Sequence, residues 1–499
     1  MMCDLHTLQK FFRDKVPTPI FGVDVYAFDR LGLEHIAPNY RLCALRDSLD
    51  TALIEKDIEV LSLERGMGTK HIQAPRNSTT VLSHPKTQAY LAQFENPAII
   101  VYKSSLKMER LCEQKQWTLV ASPVKFGKKL FEDKIKFRKI LQEIGVTPPR
   151  GEILSARNLD FYKIKNKYGT PFVLQHPRRG GGKGTFFVSS QNDLLNAIRK
   201  LQIQNVEGKE VAENISNLEV IVAKYIHGPS CSITGCVTRH GILSTNPQYQ
   251  LIDIPELYNP AKGSGLFCGH DWSSSRFSRE IEQQAYDAVE KVGKYFQKLG
   301  YKGIFGIDFV LDGEKQKLYV TESNPRLLAS FPTLTMVQIE NNEPPIIAFH
   351  LLEYLNTDYE IDANQINALM RAPKTGAQMF LHNLTDSWVK NHAEVRAGVY
   401  RLWPGNTLCF VRPGYALHHL KDTNEFLLTD GVLPKKSHYS PNRRLCRIVT
   451  LTNVLGDDKK SLTPWARAVA KSVYDAFCLK KVRLAKIIKV FHPDFLAKG

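Results

Sequence analysis

The sequence predicts a mixed fold, α/β in its N-terminal part and α+β beyond, ending in a small β-rich domain. Three observations carry this. Over residues 1–122, short apolar runs alternate with helical patterns, as in a mostly parallel sheet. Over residues 123–345, hairpins and return strands are interleaved with amphipathic helices, in two lobes of about 123–226 and 227–345. Over residues 346–499, turn signals recur at Pro404-Gly405-Asn406, Arg412-Pro413-Gly414 and Thr429-Asp430-Gly431.

In chain order, strands are expected at Tyr40–Leu45, Ile58–Leu63, Ala98–Tyr102 and Thr118–Ala121, with helices over Ser48–Lys56 and Lys107–Lys115. No G-x-G-x-x-G follows any of these strands, which argues against a dinucleotide site. Lys128–Ile144 reads as a basic amphipathic helix closed by Gly145 and Pro148-Pro149. A strand (Gly151–Leu154) and a helix (Asp160–Tyr168) lead to the strand Pro171–Gln175, and Phe186–Ser189 returns. Between these two strands lies His176-Pro-Arg-Arg-Gly-Gly-Gly-Lys-Gly184. Gly180, Gly181, Gly182 and Gly184 bare the backbone N–H groups beside Arg178, Arg179 and Lys183. Such a loop cradles phosphate without Cβ obstruction, or is simply a flexible hairpin. It is not a Walker A loop, because a strand follows it.

A helix (Asp193–Leu201), buried strands at Leu218–Ile226 and Cys231–Thr238, and a long loop at Tyr258–Ser275 come next. The Cys268-Gly-His270-Asp271 cluster in that loop reads as substrate-facing or structural, since no third partner has suitable spacing. Ser278–Leu299 is a long amphipathic helix. It opens onto a hairpin, Ile304–Leu311 and Lys317–Thr321 around Asp312-Gly313, in which Asp308 is expected opposite Tyr319 or Val320. Glu322 and Asn324, two apart, share one strand face. Three hard oxygen donors with Arg326 just beyond suit Mg²⁺ bridging a polyphosphate, against the alternative of an exposed hairpin with solvated charges. Helices at Pro345–Leu355 and Pro464–Cys478 follow, and the tail carries Lys480, Arg483, Lys486 and Lys489.

Composition narrows the class. At 499 residues, 43% hydrophobic and 23% charged, the chain reads as a globular protein of two to four domains. Nine Cys without a CxxC pair argue for reduced thiols in a cytoplasmic setting and against a zinc ribbon. No apolar run resembles a signal peptide or a membrane span. The net charge of +17 predicts anionic ligands, whether nucleotides, acidic metabolites, nucleic acid or an anionic surface. The basic residues are spread along the chain with no aromatic-interleaved stripe, so charge alone does not make a nucleic-acid binder.

The order of a Lys-bearing helix, Gly-rich hairpin, buried strand ending at a hinge, long helix and D…ExNxR resembles the ATP-grasp superfamily over roughly Phe126 to Glu340. Asp308…Glu322-x-Asn324 resembles the metal set of D-alanine–D-alanine ligase. Glu322-Ser-Asn324-Pro-Arg326 is similar to a segment of carbamoyl phosphate synthetase, and Asp133-Lys134 to the family's Asp-Lys pair. Two positions depart from the pattern. Gln175 stands where biotin carboxylase has a strand Lys, and Ala223 stands where a hinge Glu is frequent. The segment after Arg326 lacks the Gln and Glu of biotin carboxylase, which disfavours biotin carboxylation.

The resemblance implies ATP as cofactor, with Mg²⁺ (or Mn²⁺), two ions, on Asp308, Glu322 and Asn324. It implies nucleotide contacts from Lys134, Gln175, His176, Arg179, Gly180, Gly181, Gly182, Lys183 and Gly184, and from the hinge at Lys224, Tyr225 and Ile226. Arg326 and Lys183 take the catalytic roles. The implied activity is ligation of a small-molecule carboxylate to an amine through an acyl-phosphate. A phosphotransferase and a non-catalytic nucleotide- or anion-binding scaffold are the alternatives, and a homo-oligomer stays open.

Overall fold

The computed structural model describes residues 2–67, 72, 74–180, 184–206, 209–212, 217–262, 264–355 and 357–482. The N-terminal part is a five-stranded parallel sheet of β1 (Ile20–Asp24), β2 (Tyr40–Ala44), β3 (Val60–Ser62), β4 (Ala98–Val101) and β5 (Thr118–Val120), in the order β3-β2-β1-β4-β5. Helix α1 (Leu106–Lys115) crosses from β4 to β5. Strand order reverses between β1 and β4, which opens a crevice at their carboxyl ends. The sequence pattern passes over β1, the middle strand: IFGVD is short, follows two prolines and is interrupted by Gly22. A Cβ at Gly22 would collide with the Tyr40 side chain and Arg30 Cβ, so the glycine is what lets β1 lie so close to its neighbours.

The helix expected over Lys128–Ile144 is split. A single π-turn (Gly127–Phe131) precedes α2 (Lys134–Glu143). The Asp133 carboxylate accepts the N–H groups of Ile135 and Lys136, at 3.1 and 3.2 Å, and restarts the helix with Lys134 in its first turn. The first lobe is a four-stranded antiparallel sheet of β6 (Gly151–Ser155), β7 (Phe172–Gln175), β8 (Thr185–Val188) and β9 (Glu219–Lys224), in the order β6-β9-β7-β8. Helix α3 (Gln191–Leu201) helps cover this sheet, and the lobe has a hydrophobic core of its own.

Beyond the hinge, β10 (Ser230–Thr238), β11 (Gln248–Ile252), β12 (Phe267–Asp271), α4 (Arg279–Lys298), β13 (Gly303–Asp312) and β14 (Lys317–Asn324) form the second lobe. The stretch expected as the loop Tyr258–Ser275 therefore contains a strand, β12. It is held between β11, just before it, and β15 (Ala377–His382), which lies beyond residue 370, so a local reading gives it little support. The second-lobe sheet runs on through β15 into β16 (Gly398–Trp403), β17 (Thr407–Arg412), β18 (Glu425–Thr429) and β19 (Arg444–Thr450) as β14-β13-β10-β11-β12-β15-β19-β18-β16-β17. A boundary at 345 falls between helices, while the sheet and one hydrophobic core continue across it. Helix α5 (Pro464–Phe477) packs on β17. Of the tail's basic residues, Lys480 sits in a short strand (Leu479–Lys481), and Arg483, Lys486 and Lys489 lie outside the described residues.

All nine cysteines are free thiols. Among the described residues, no helix is long and apolar enough to cross a membrane.

Candidate active site

A cavity of about 580 Å³ lies between the two lobes. Its floor is the β13–β14 hairpin, and the register there differs from the expected one. Val310 pairs with Tyr319 and Phe309 with Val320, but an extra residue, Thr321, then bulges out, so that Glu322 faces Asp308 and Asn324 faces Gly306. Without the bulge Thr321 would oppose Asp308 and Glu322 would point to the other side of the sheet. One inserted residue therefore assembles Asp308, Glu322 and Asn324 on a single face.

The two carboxyl groups face each other across the hairpin. Burial and the adjacent Glu322 charge hold Asp308 far above the usual carboxylate range. Burial works in the same direction on Glu322, but the charge and hydrogen bond of Lys134 override it and keep Glu322 low. Lys134 Nζ lies 2.7 Å from Glu322 Oε2 and donates to the Arg179 carbonyl at 3.2 Å. Gln250 Nε2 donates to Asp308 Oδ1, and Asn324 Nδ2 to Asp308 Oδ2, both at 3.0 Å. Two carboxyl groups in contact repel once both ionise, and a hard divalent cation between them removes that repulsion; their oxygens suit Mg²⁺ or Mn²⁺. Asn324 fits after one adjustment. Its amide oxygen accepts from Arg326 Nη2 at 2.7 Å, so it must turn to offer that oxygen to a metal.

Arg326 is held on several sides. Its Nε lies 3.2 Å from Glu132, its Nη1 donates to the Tyr102 hydroxyl, and its guanidinium stacks 4.8 Å from the Tyr102 ring centroid. Glu132 in turn pairs with Lys103 at 2.5 Å. Gln175 lines the cavity from the first lobe, its Nε2 donating to Thr185 Oγ1 at 3.4 Å. The hinge residues Lys224, Tyr225 and Ile226 line the far end with Val173, Ile221 and Ala223.

Not every predicted residue gathers here. His176 is buried behind the loop, its Nδ1 accepting the Arg178 N–H at 3.0 Å, and it does not line the cavity. The Arg179 guanidinium caps α3, donating to the carbonyls of Lys200 and Leu201 at 2.8 and 3.0 Å. Gly180 and Gly184 flank the loop. Gly181, Gly182 and Lys183 lie outside the described residues. His270 does line the cavity; burial and Arg447 push its pKa down to about 3, so the ring is neutral, and its Nδ1 is 2.9 Å from Gln378 Nε2. Sequence reading missed Gln250, Tyr102 and the turn carrying Lys459 and Lys460, all of which line the cavity. That turn is fixed by Asp458, which accepts the N–H groups of Lys460 and Ser461 at 3.0 Å. None of these residues sits in a motif, and only the continuous sheet brings the C-terminal turn to the first half of the chain.

Fold and floor together define an inter-lobe cleft with a carboxyl pair on its floor and the hinge residues in its wall. Residues 131–330 match the family model for the ATP-grasp domain. The chain is 27% identical over 205 residues to a D-alanine–D-alanine ligase of Carboxydothermus hydrogenoformans, covering 38% of this chain and 58% of that one. It is 26% identical over 272 residues to a carbamoyl-phosphate synthase of Methanobrevibacter smithii, covering 54% and 63%. The chain thus spans less than two thirds of each relative's length. Among solved structures, a biotin carboxylase of Campylobacter jejuni aligns with TM-score 0.56 at 13% identity, over 96% of both chains. The biotin carboxylase domain of a Hydrogenobacter thermophilus 2-oxoglutarate carboxylase aligns with TM-score 0.54 at 14% identity, over 95% and 94%. These two likenesses establish the fold.

Proposed function

We propose that this chain is an ATP- and Mg²⁺-dependent ligase that activates a small carboxylic acid as its acyl-phosphate and joins it to an amine. The observation that carries the reading is the bulge at Thr321, which sets Asp308 and Glu322 face to face under Lys134 at one end of the inter-lobe cavity. The backbone of the Lys224–Ile226 hinge would hold the adenine, and Lys134 with the floor would hold the triphosphate. Asp308 and Glu322, with Asn324 turned, hold up to two Mg²⁺ ions, which when bound neutralise charge on the phosphates. Lys134 leaves Glu322 for a phosphate oxygen.

An acceptor carboxylate oxygen attacks the γ-phosphorus; the O–P bond to the β-phosphate breaks and ADP leaves. Arg326, already oriented by Glu132 and Tyr102, steadies the acid or the phosphoryl oxygens through paired N–H groups. An amine then attacks the acyl carbon, phosphate departs, and the amine loses its proton. The nine free thiols accord with a cytoplasmic, reducing setting.

The test follows ATP breakdown with pools of small acids and amines, in wild type and Glu322→Ala. Substrate-stimulated ADP plus inorganic phosphate, lost in the variant, supports the ligase. ADP without phosphate makes the protein a phosphotransferase, and tight ATP binding with no turnover makes it a scaffold.

A further inference from the structure

A second cavity, of about 530 Å³, lies on the N-terminal side of Arg326. It opens where the strand order of the parallel sheet reverses, at the carboxyl ends of β1 and β4. This is the crevice in which open α/β sheets take their ligands. Tyr102, Leu328 and Ala329 line both cavities, so the two meet beside Arg326. A ligand in the second cavity can thus present one end to the metal floor.

The electrostatics of this cavity are one-sided. Five cationic side chains line it, against two carboxylates, Asp24 and Asp29. Both acids are already satisfied by protein. Asp24 pairs with Arg30 at 2.6 Å, and Asp29 lies 3.2 and 3.3 Å from Arg444 and Arg447. Lys103 pairs with Glu132. Arg76 stands apart: it is half-buried, lines the cavity, and has no hydrogen-bond or ion-pair partner among the described residues. Burial together with the nearby Arg46 and Arg443 pushes its pKa down to about 10. An arginine kept from water next to other cations is costly unless an anion completes it. Ser105 and Thr79, whose hydroxyls are 3.0 Å apart, add polar groups at the start of α1, where the helix dipole also favours negative charge. Met108, Phe331 and Phe380 make the remaining wall apolar, suited to a short carbon body.

We propose that this cavity binds the acceptor as a dianion, with one carboxylate beside Arg326 at the shared border and a second anionic group, carboxylate or phosphate, on Arg76. The fate of the first carboxylate rests on the ligase reading; the seat of the second anion does not.

Calorimetric titration of the full chain separates the two. The probes are succinate and 3-phosphoglycerate, dianions in the sense that each bears two anionic groups, and propionate, at constant ionic strength, against wild type, Arg76→Gln and Arg76→Lys, with MgATP titrated in parallel. Both dianions should bind wild type and bind Arg76→Gln about tenfold more weakly or worse, with Arg76→Lys in between. Propionate should bind wild type more weakly than either dianion and lose little in the variants. Dianion affinity unchanged in Arg76→Gln, propionate bound as tightly as succinate, or no probe bound by wild type would each overturn the assignment. A wild type that holds a dianion but not MgATP refutes the ligase and leaves the second-anion seat standing. MgATP bound normally with no dianion bound does the reverse.

Discussion

Replacing Lys134 by Met should move two affinities in opposite directions. The ammonium sits 2.7 Å from Glu322 Oε2, with Lys134 buried and the Glu322 side chain 30% exposed. A metal ion taking Glu322 must displace that lysine. At an effective dielectric of about 20, Coulomb's law bounds the pair at about 6 kcal/mol. The exposure of Glu322 and the hydration regained when the lysine leaves reduce the net to roughly 1.5–3 kcal/mol. Lys134→Met removes the competitor, so Mn²⁺ or Mg²⁺ alone should bind about tenfold more tightly or better. The same change removes a phosphate contact, so nucleotide affinity at saturating metal should fall by about tenfold or more. Mn²⁺ binding followed by electron paramagnetic resonance, and ATP binding followed by calorimetry, read the two separately. If metal and nucleotide affinities fall together, Lys134 supports the floor rather than competing for it, and the exchange of cations on Glu322 is wrong.

Three further outcomes follow from the same geometry. Gln175→Lys places a cation on the first-lobe wall and should lower the KM for ATP by about tenfold, read from initial rates, if that wall faces phosphate. Lys459→Ala combined with Lys460→Ala should raise the KM for ATP by about tenfold with little change in kcat, because both line the cavity on an anchored turn without a carboxylate partner among the described residues. Glu34 is buried, which raises its pKa to about 7 from 4.5. Because the folded value is the raised one, its favourable contribution is full below the unfolded pKa and is lost as pH rises through about 7. Glu34→Gln should therefore match wild type near pH 4 and be more stable by up to about 3 kcal/mol at pH 8, measured by unfolding at both values.

Local chemistry was legible where a short segment settles it. The hairpin from Gly303 to Asn324 and the long helix before Gly300 each announce themselves within twenty-odd residues. The bulge at Thr321 was not legible, because nothing in VTES distinguishes it from a regular strand; the pairing with β13 decides it. Strand β12 stayed hidden for a related reason, since its partners come from both sides of it and one lies beyond residue 370. Arg179 shows the limit of reading charge by proximity. It stands beside a phosphate-type loop, yet its guanidinium is committed to the end of α3.

The same limit applies to the net charge of +17, and the fold gives part of that charge a purpose. Six cationic side chains line the inter-lobe cavity against three acidic ones, of which Asp308 is held far above the usual carboxylate range by burial and the Glu322 charge. The second cavity repeats the imbalance. Both are concave and of metabolite size, so the excess is focused on small anions, where low-dielectric walls strengthen it. A nucleic-acid surface needs the opposite arrangement: a continuous, exposed stripe along which phosphates are neutralised in register. Positive charge that converges on two adjoining cavities, one floored by a metal-type carboxylate pair and the other at a strand-order switch, is what a chain bringing a nucleotide triphosphate against an acidic substrate requires. In the proposed reaction two mutually repelling anions meet at that border, and Arg326, stacked on Tyr102 beside it, lowers the cost of their approach.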